Sequence, residues 1–321
     1  MIRIFATLNE QLREVENIAE TKSPWIYMEN PTDFEIEQVI ALTGLCPDFI
    51  RAALDEEEQP RLDYEEGQML VIINVPVKRG DIRFDTIPLG IIISDNYLVT
   101  VCLERNEAVD TLVANRLRGL HTAKRSRFLL QVLYVTANQY LKYLRLIERK
   151  KDNIEAALMR SMKNKELIDL LTLSKGLIYF TTSLRSNQVV MDRLLRSQLK
   201  KNAVDNEFST ILRLFPDDED LLDDVIIENK QAIEMGDVYS STLNSTMDAF
   251  ASVISNNLNI VMKFLTSVTI VMAIPTIVAS LYGMNVALPG QNAPWAFSCI
   301  IAISFVISGG AAWALARRRM F

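Results

Sequence analysis

The sequence predicts an α+β head of mixed sheet and helices, a long stalk helix and a two-helix membrane hairpin. Three observations carry this. Residues 264–316 contain no Asp, Glu, Lys or Arg. Residues 1–105 hold short runs rich in Ile, Val, Phe and Tyr, bounded by Gly, Pro, Asn and Asp, as strands are. Residues 107–200 repeat Leu, Ile, Val and Met at helical spacing among Lys, Arg, Asn and Gln. Charge is divided along the chain. Residues 263–321 carry Lys263, Arg317, Arg318 and Arg319 and no acid, a net of +4; the whole chain is −6, so residues 1–262 carry −10.

In the head (residues 1–105), strands are expected at 1–8, 25–29, 69–77, 87–94 and 97–103. Ser94-Asp95-Asn96 reads as the turn joining the last two. Thr32-Asp33-Phe34-Glu35 is a capping box that opens a helix to about Leu42. Residues 47–57 form a second short helix. Residues 106–215 are a long-helix region with two antiparallel helices, about 125–160 and 164–199. Their basic clusters belong to a solvated face rather than to a nucleic-acid surface, because the soluble part is acidic as a whole.

Pro216-Asp217-Asp218-Glu219-Asp220, followed by Asp223, Asp224, Glu228, Glu234 and Asp237, is the densest acidic tract. Two readings stand side by side. The carboxylates suit a helix start, where the N-terminal dipole favours them. Brought beside its own copies, the tract would repel itself, and a divalent cation would relieve that repulsion.

A helix over residues 216–283 would run roughly 100 Å at 1.5 Å per residue. Its last part, about 264–282, supplies close to the roughly 20 residues that cross a bilayer core, and residues 295–316 supply a second span. Residues 284–294 between them hold Pro289-Gly290 and Asn292-Ala293-Pro294, which are turn residues. Tyr282 and Trp295 flank this loop as interfacial aromatics do. Lys263 before the first span and Arg317, Arg318 and Arg319 (in the tail, 317–321) after the second mark the inner face. Both termini are then cytoplasmic, and Gly283-Met284-Asn285 lies at the outer mouth of the hairpin.

The first span carries a polar seam. Ser241, Ser245, Asp248, Ser252, Ser255, Asn259, Met262, Thr266, Thr269, Ala273, Thr276, Ser280 and Gly283 alternate steps of four and three, and almost all are small or polar. Lipid does not satisfy hydroxyls and amides, so the seam must face protein or water. Close packing of small residues would account for the Thr and Ser positions alone. It does not account for Asp248 and Asn259. One hairpin does not enclose an aqueous path, so several copies must surround an axis, a homo-oligomer of cyclic symmetry.

Other chemistry has little to stand on. No long apolar run opens the chain, so a secretory signal is not expected. Cys46, Cys102 and Cys299 show no metal or disulfide spacing, and His121 is the single histidine. There is no glycine-rich phosphate loop and no Ser/His/Asp set, so an enzyme is not expected, nor an organic cofactor.

The string Ser255-Asn256-Asn257-Leu258-Asn259-Ile260-Val261-Met262-Lys263-Phe264-Leu265-Thr266, then Pro275-Thr276, then Tyr282-Gly283-Met284-Asn285, resembles the CorA family of magnesium and divalent-cation transporters. The match is close over the last 70 or so residues. The resemblance implies a homopentameric funnel in the cell (inner or plasma) membrane that takes up Mg²⁺. It implies that Gly283, Met284 and Asn285 form the selectivity mouth, with the Asn285 carbonyl meeting a hydrated cation. Thr276, Asn259 and Asp248 would be polar rings along the pore, with Met262 and Leu265 as an apolar gate and Lys263 and Arg317–319 as a basic collar. Asp224 and Glu228 would stand on the stalk side of regulatory metal sites between subunits, with Asp81 or Asp85 as head partners. The loop from Val286 to Asn292 lacks the acidic residue the family often carries there. A transition-metal transporter (Zn²⁺, Co²⁺ or Ni²⁺), in one branch proton-coupled, is therefore the alternative on the same scaffold. A membrane-anchored scaffold protein is the alternative of another class.

Overall fold

The structure is a computed structural model describing residues 1–8, 10–16, 18, 21, 23–114, 119–161, 164–199, 212, 215–284 and 293–318. The chain divides into two compact units, Met1–Ser245 and Thr246–Phe321.

The first unit is built on a seven-stranded mixed sheet. Its strands are β1 (Ile2–Leu8), β2 (Gln11–Glu14), β3 (Trp25–Glu29), β4 (Arg61–Glu65), β5 (Gln68–Arg79), β6 (Arg83–Ile93) and β7 (Leu98–Cys102), in the order β2-β1-β3-β7-β6-β5-β4. Only β3 and β7 pair in parallel; the other neighbours are antiparallel. The sheet is covered on both faces, and period-two alternation sorts its residues. Trp25, Tyr27, Met69, Val71, Ile73, Leu89 and Ile91 point into one core. Ile26, Met28, Leu70, Ile72, Val99 and Val101 point into the other.

The second core is closed by α1 (Asp33–Thr43) and α2 (Pro47–Ala52) through Ile36, Val39, Phe49 and Ile50. The capping box of α1 is present. Glu35 N donates to Thr32 Oγ1 at 3.3 Å, and Thr32 N donates to Glu35 Oε2 at 2.8 Å. Helix α2 stops five residues short of the expected end. There the Asp55 carboxylate accepts from Glu57 N at 3.0 Å, a local bond that competes with the next helical turn.

The first core is closed by α3 (Glu107–Val113), α4 (Arg125–Ser161), α5 (Asn164–Leu199) and the start of α6 (Pro216–Tyr282), through Val109, Phe128, Val132, Leu133, Val190, Leu194, Leu222 and Val225. Helix α5 is long and apolar enough to cross a membrane by composition, but much of it is buried here against the sheet. Gly176 lets it approach β6, since a Cβ there would lie 3.0 Å from Phe84 Cβ.

Two strands escaped the sequence reading. β4 alternates polar and apolar residues but carries three charges in five, Arg61, Asp63 and Glu65. It joins β5 through Glu66 and Gly67, both at positive φ, the two-residue hairpin geometry that matches strand twist. β2 is a four-residue edge strand, held partly by Arg3, whose guanidinium bonds Glu14 at 2.9 and 2.8 Å.

The second unit holds the later part of α6 and α7 (Ala296–Arg317). Pro275 lies inside α6. Both helices are long and apolar enough to span a membrane.

Candidate ion pathway

Within the second unit the two helices meet across a cavity of about 250 Å³ lined by Pro275, Val278, Ala279, Ile300, Ile301, Ser304 and Phe305. The buried and half-buried positions of α6, Ser267, Val268, Val271, Ile274 and Val278, follow that side. Ser267 is fully buried, and its hydroxyl donates to Lys263 O at 2.8 Å. On α7 the buried positions are Ser304 and Ser308, one turn apart. Small residues here let the helices approach closely.

The polar seam takes the other side. At roughly 100° per residue, Thr266, Thr269, Ala273, Thr276 and Ser280 centre roughly 170° around α6 from the packed positions. All but the half-buried Ala273 are exposed. Asp248, Asn259, Met262 and Leu265 are exposed as well, Met262 at 52% and Leu265 at 56%. Thr269 and Thr276 donate to carbonyls one turn back, at 2.8 Å to Leu265 O and 3.3 Å to Met272 O. Each hydroxyl oxygen keeps lone pairs to offer outward. The hairpin therefore has a packed side, whose Ser-x-x-x-Ser spacing on α7 was the sequence signal overlooked, and an unpartnered polar side.

Gly283 closes α6, its N–H bonding Ala279 O at 2.9 Å, and Met284 beside it is 52% exposed. Asn285 and Arg319 lie outside the described residues, as does the loop over 285–292. Lys263, Arg317 and Arg318 are exposed. The Arg317 guanidinium lies over the Trp313 ring, 5.4 Å from its centroid.

The proposed regulatory carboxylates belong to the first unit. Asp81 sits in the β5–β6 hairpin turn and bonds Lys150 of α4, which holds its carboxyl below the ordinary range. Asp85, on β6, lies 3.2 Å from Arg79 and 3.8 Å from Arg83. Asp224 is exposed and Glu228 half-buried on α6. Among the described residues, no three His, Cys, Asp or Glu side chains gather as a metal cluster within this one chain. Part of the acidic tract is spent on structure. Asp218 is buried, accepts from Ser126 Oγ at 2.9 Å and Phe215 N at 3.3 Å, and lies 3.5 Å from Arg127. Asp237 pairs with Arg185 at 2.6 Å.

Residues 20–318 match the family described as CorA-like Mg²⁺ transporter protein. The chain belongs to the CorA-like Mg²⁺ transporter family. The cobalt/magnesium transport protein CorA of Methanocaldococcus jannaschii is 29% identical over 293 residues, covering 88% of this chain and 86% of that protein. The complete structure of the CorA magnesium transporter from the same organism superposes with a TM-score of 0.79 at 25% identity, over 98% of this chain and 96% of that one. The cytoplasmic domain of ZntB from Vibrio parahaemolyticus shares the fold alone, with a TM-score of 0.58 at 12% identity, over 79% of this chain and 98% of that one. As a CorA-like protein the chain is a membrane transporter of the ion-transport class and not an enzyme.

Proposed function

We propose that this CorA-like chain takes up divalent cations, Mg²⁺ first among them, through a path lined by the polar side of α6. The observation that supports this most is the division of that helix. Its packed side meets α7, while Asp248, Asn259, Thr266, Thr269, Thr276 and Ser280 remain exposed on the other. In a membrane the hydroxyls of the span need protein or water, which copies of the chain around an axis would provide. A homopentamer in the cell membrane, both termini cytoplasmic, follows the family expectation.

Mg²⁺ dehydrates reluctantly, so hydroxyl and amide oxygens that hold its waters suit it better than a stripping cage. Gly283, Met284 and Asn285 are the proposed mouth. Met262 and Leu265, both apolar and exposed, are the proposed constriction, and Lys263 the inner basic position. Asp224 and Glu228 with Asp81 or Asp85 are proposed to bind regulatory Mg²⁺ between copies. A cation at Asp81 would compete with Lys150 for its carboxylate.

Flux into proteoliposomes tests the reading. Mg²⁺ entry should fall at least tenfold in Asn285→Ala and in Thr276→Leu, with the oligomer unchanged in size. Flux untouched by both changes would reject the mouth and the lining. Co²⁺ and Zn²⁺ in the same assay rank the ions. Zn²⁺ entry that Mg²⁺ fails to inhibit would overturn the magnesium assignment in favour of the transition-metal reading, which the uncharged loop from Val286 to Asn292 favours.

A further inference from the structure

The pair Trp313–Arg317 sits on the side of α7 that looks away from α6. Counting roughly 100° per residue, both positions lie roughly 160° around the helix from the centre of buried Ser304 and Ser308. Trp313 is 65% exposed, and the Arg317 guanidinium is laid over it. Arg317 is thus directed away from the polar side of α6.

The depth of the pair follows from the cavity. Ser304 lines it together with Pro275 and Val278. Thirteen residues onward, Arg317 is roughly 20 Å further along α7; about thirteen back, Lys263 is roughly 20 Å along α6 in the same direction. The cations therefore leave the apolar region at one level. Among the described residues of the second unit, no carboxylate side chain lies at that level. The only acid in residues 246–321 is Asp248, fifteen residues before Lys263 on the same helix and so roughly 20 Å away.

A guanidinium stacked on an indole keeps its edge N–H donors free, in the planar fork that matches a phosphate. The α7 C-terminus favours a cation at this place, and Arg318 N–H serves the Ala314 and Leu315 carbonyls, which softens their effect on an incoming anion. Indole rings favour the headgroup level, and the inner leaflet is the anionic one.

We propose that Trp313 and Arg317, with Arg318 adding charge, bind the phosphate of an anionic phospholipid of the inner leaflet on the outward face of α7. This rests on the reading of α7 as a span whose C-terminal end lies at the inner face.

The test uses the full chain carrying Trp295→Phe, in vesicles of phosphatidylcholine and phosphatidylglycerol. Trp25 is fully buried in the first unit, so lipid-accessible emission comes from Trp313. Brominating only the phosphatidylglycerol should quench Trp313 about two- to fivefold more, at equal mole fraction, than brominating only the phosphatidylcholine. Arg317→Gln should abolish that preference and leave quenching by either lipid in place. Equal quenching by both lipids with Arg317 intact would overturn the proposal. Abolition of the preference by millimolar inorganic phosphate would replace the lipid with free phosphate as ligand, and so overturn it too. Absence of quenching by either lipid would instead fault the reading of α7 as a span.

Discussion

Thr266 and Ser267 are neighbours in sequence and lie on different sides of the same helix: Ser267 is fully buried, and Thr266 is exposed. A single step of roughly 100° separates the packed side from the polar one. The two hydroxyls consequently answer to different tests.

Thr266→Val should lower cation flux several-fold and leave the protein's thermal midpoint within about 1 °C, because an exposed hydroxyl is lost and little packing changes. Ser267→Val should do the reverse, since two methyl groups must fit where the helix is fully buried; a loss of about 1–3 kcal/mol is expected. Paired flux and thermal-unfolding measurements on both variants check this. Similar behaviour of the two would contradict the division of the helix.

Among the described residues Ser304 has a buried hydroxyl with no partner, and Ser304→Ala should be neutral or stabilising, by about 1 kcal/mol. Thermal unfolding in detergent reads the change, and marked destabilisation would show that the hydroxyl is satisfied in the membrane.

Asn187 acts as a strand residue from within α5. Asn74 N donates to its Oδ1 at 2.8 Å, and its Nδ2 donates to Asn74 O at 2.8 Å, where Tyr140 OH also donates at 3.0 Å. β4 ends opposite Ile72, so the Asn187 amide serves β5 beyond that point. Asn187→Leu strands a partly buried backbone N–H and should cost about 1–3 kcal/mol in chemical denaturation. A loss below about 1 kcal/mol would mean that water replaces the amide.

Gly236 of α6 is a point of close approach to α5. A Cβ there would lie 2.5 Å from Thr181 Cγ2 of α5. Gly236→Ala gains about 1 kcal/mol of helix propensity and should still destabilise. Adding Thr181→Ala should recover that loss, a coupling a double-mutant cycle measures directly.

Glu107 gives an acid-side signature. Burial pushes its carboxyl up, but bonds from Lys142 Nζ at 2.6 Å, Tyr143 OH at 2.9 Å and Gln139 Nε2 at 2.7 Å outweigh this and hold it below its ordinary value. A group lowered on folding adds stability that is fully present above its unfolded pKa and is lost as pH falls through the folded one. Glu107→Gln should therefore flatten the decline of stability below about pH 4.5 and leave the neutral-to-basic side parallel to that of the parent. An unchanged acid slope would show that the group is not perturbed.

Much of this protein was legible from local spacing. The capping box Thr32–Glu35, the turn at Ser94 (whose N–H bonds Tyr97 O at 3.0 Å) and the long helices all depend on residues a few positions apart. The charged strand β4 was not, because its apolar signal is weak and its place is set by pairing with β5. The polar seam was readable as a period. Which side of α6 the second helix would cover was not, because that depends on how α7 returns.

The sequence by itself determined the α+β head, the two apolar spans, the polar period and the family string from Ser255 to Asn285, all of them statements about neighbours along the chain. Tertiary structure alone decided that Asn187 would meet Asn74 across 113 residues, that Lys150 would neutralise Asp81, and that Ser304 and Ser308 would be the buried positions of α7. The reason is physical. Helical and strand periods follow from backbone geometry, whereas the partner of a given side chain follows from packing that brings distant segments together.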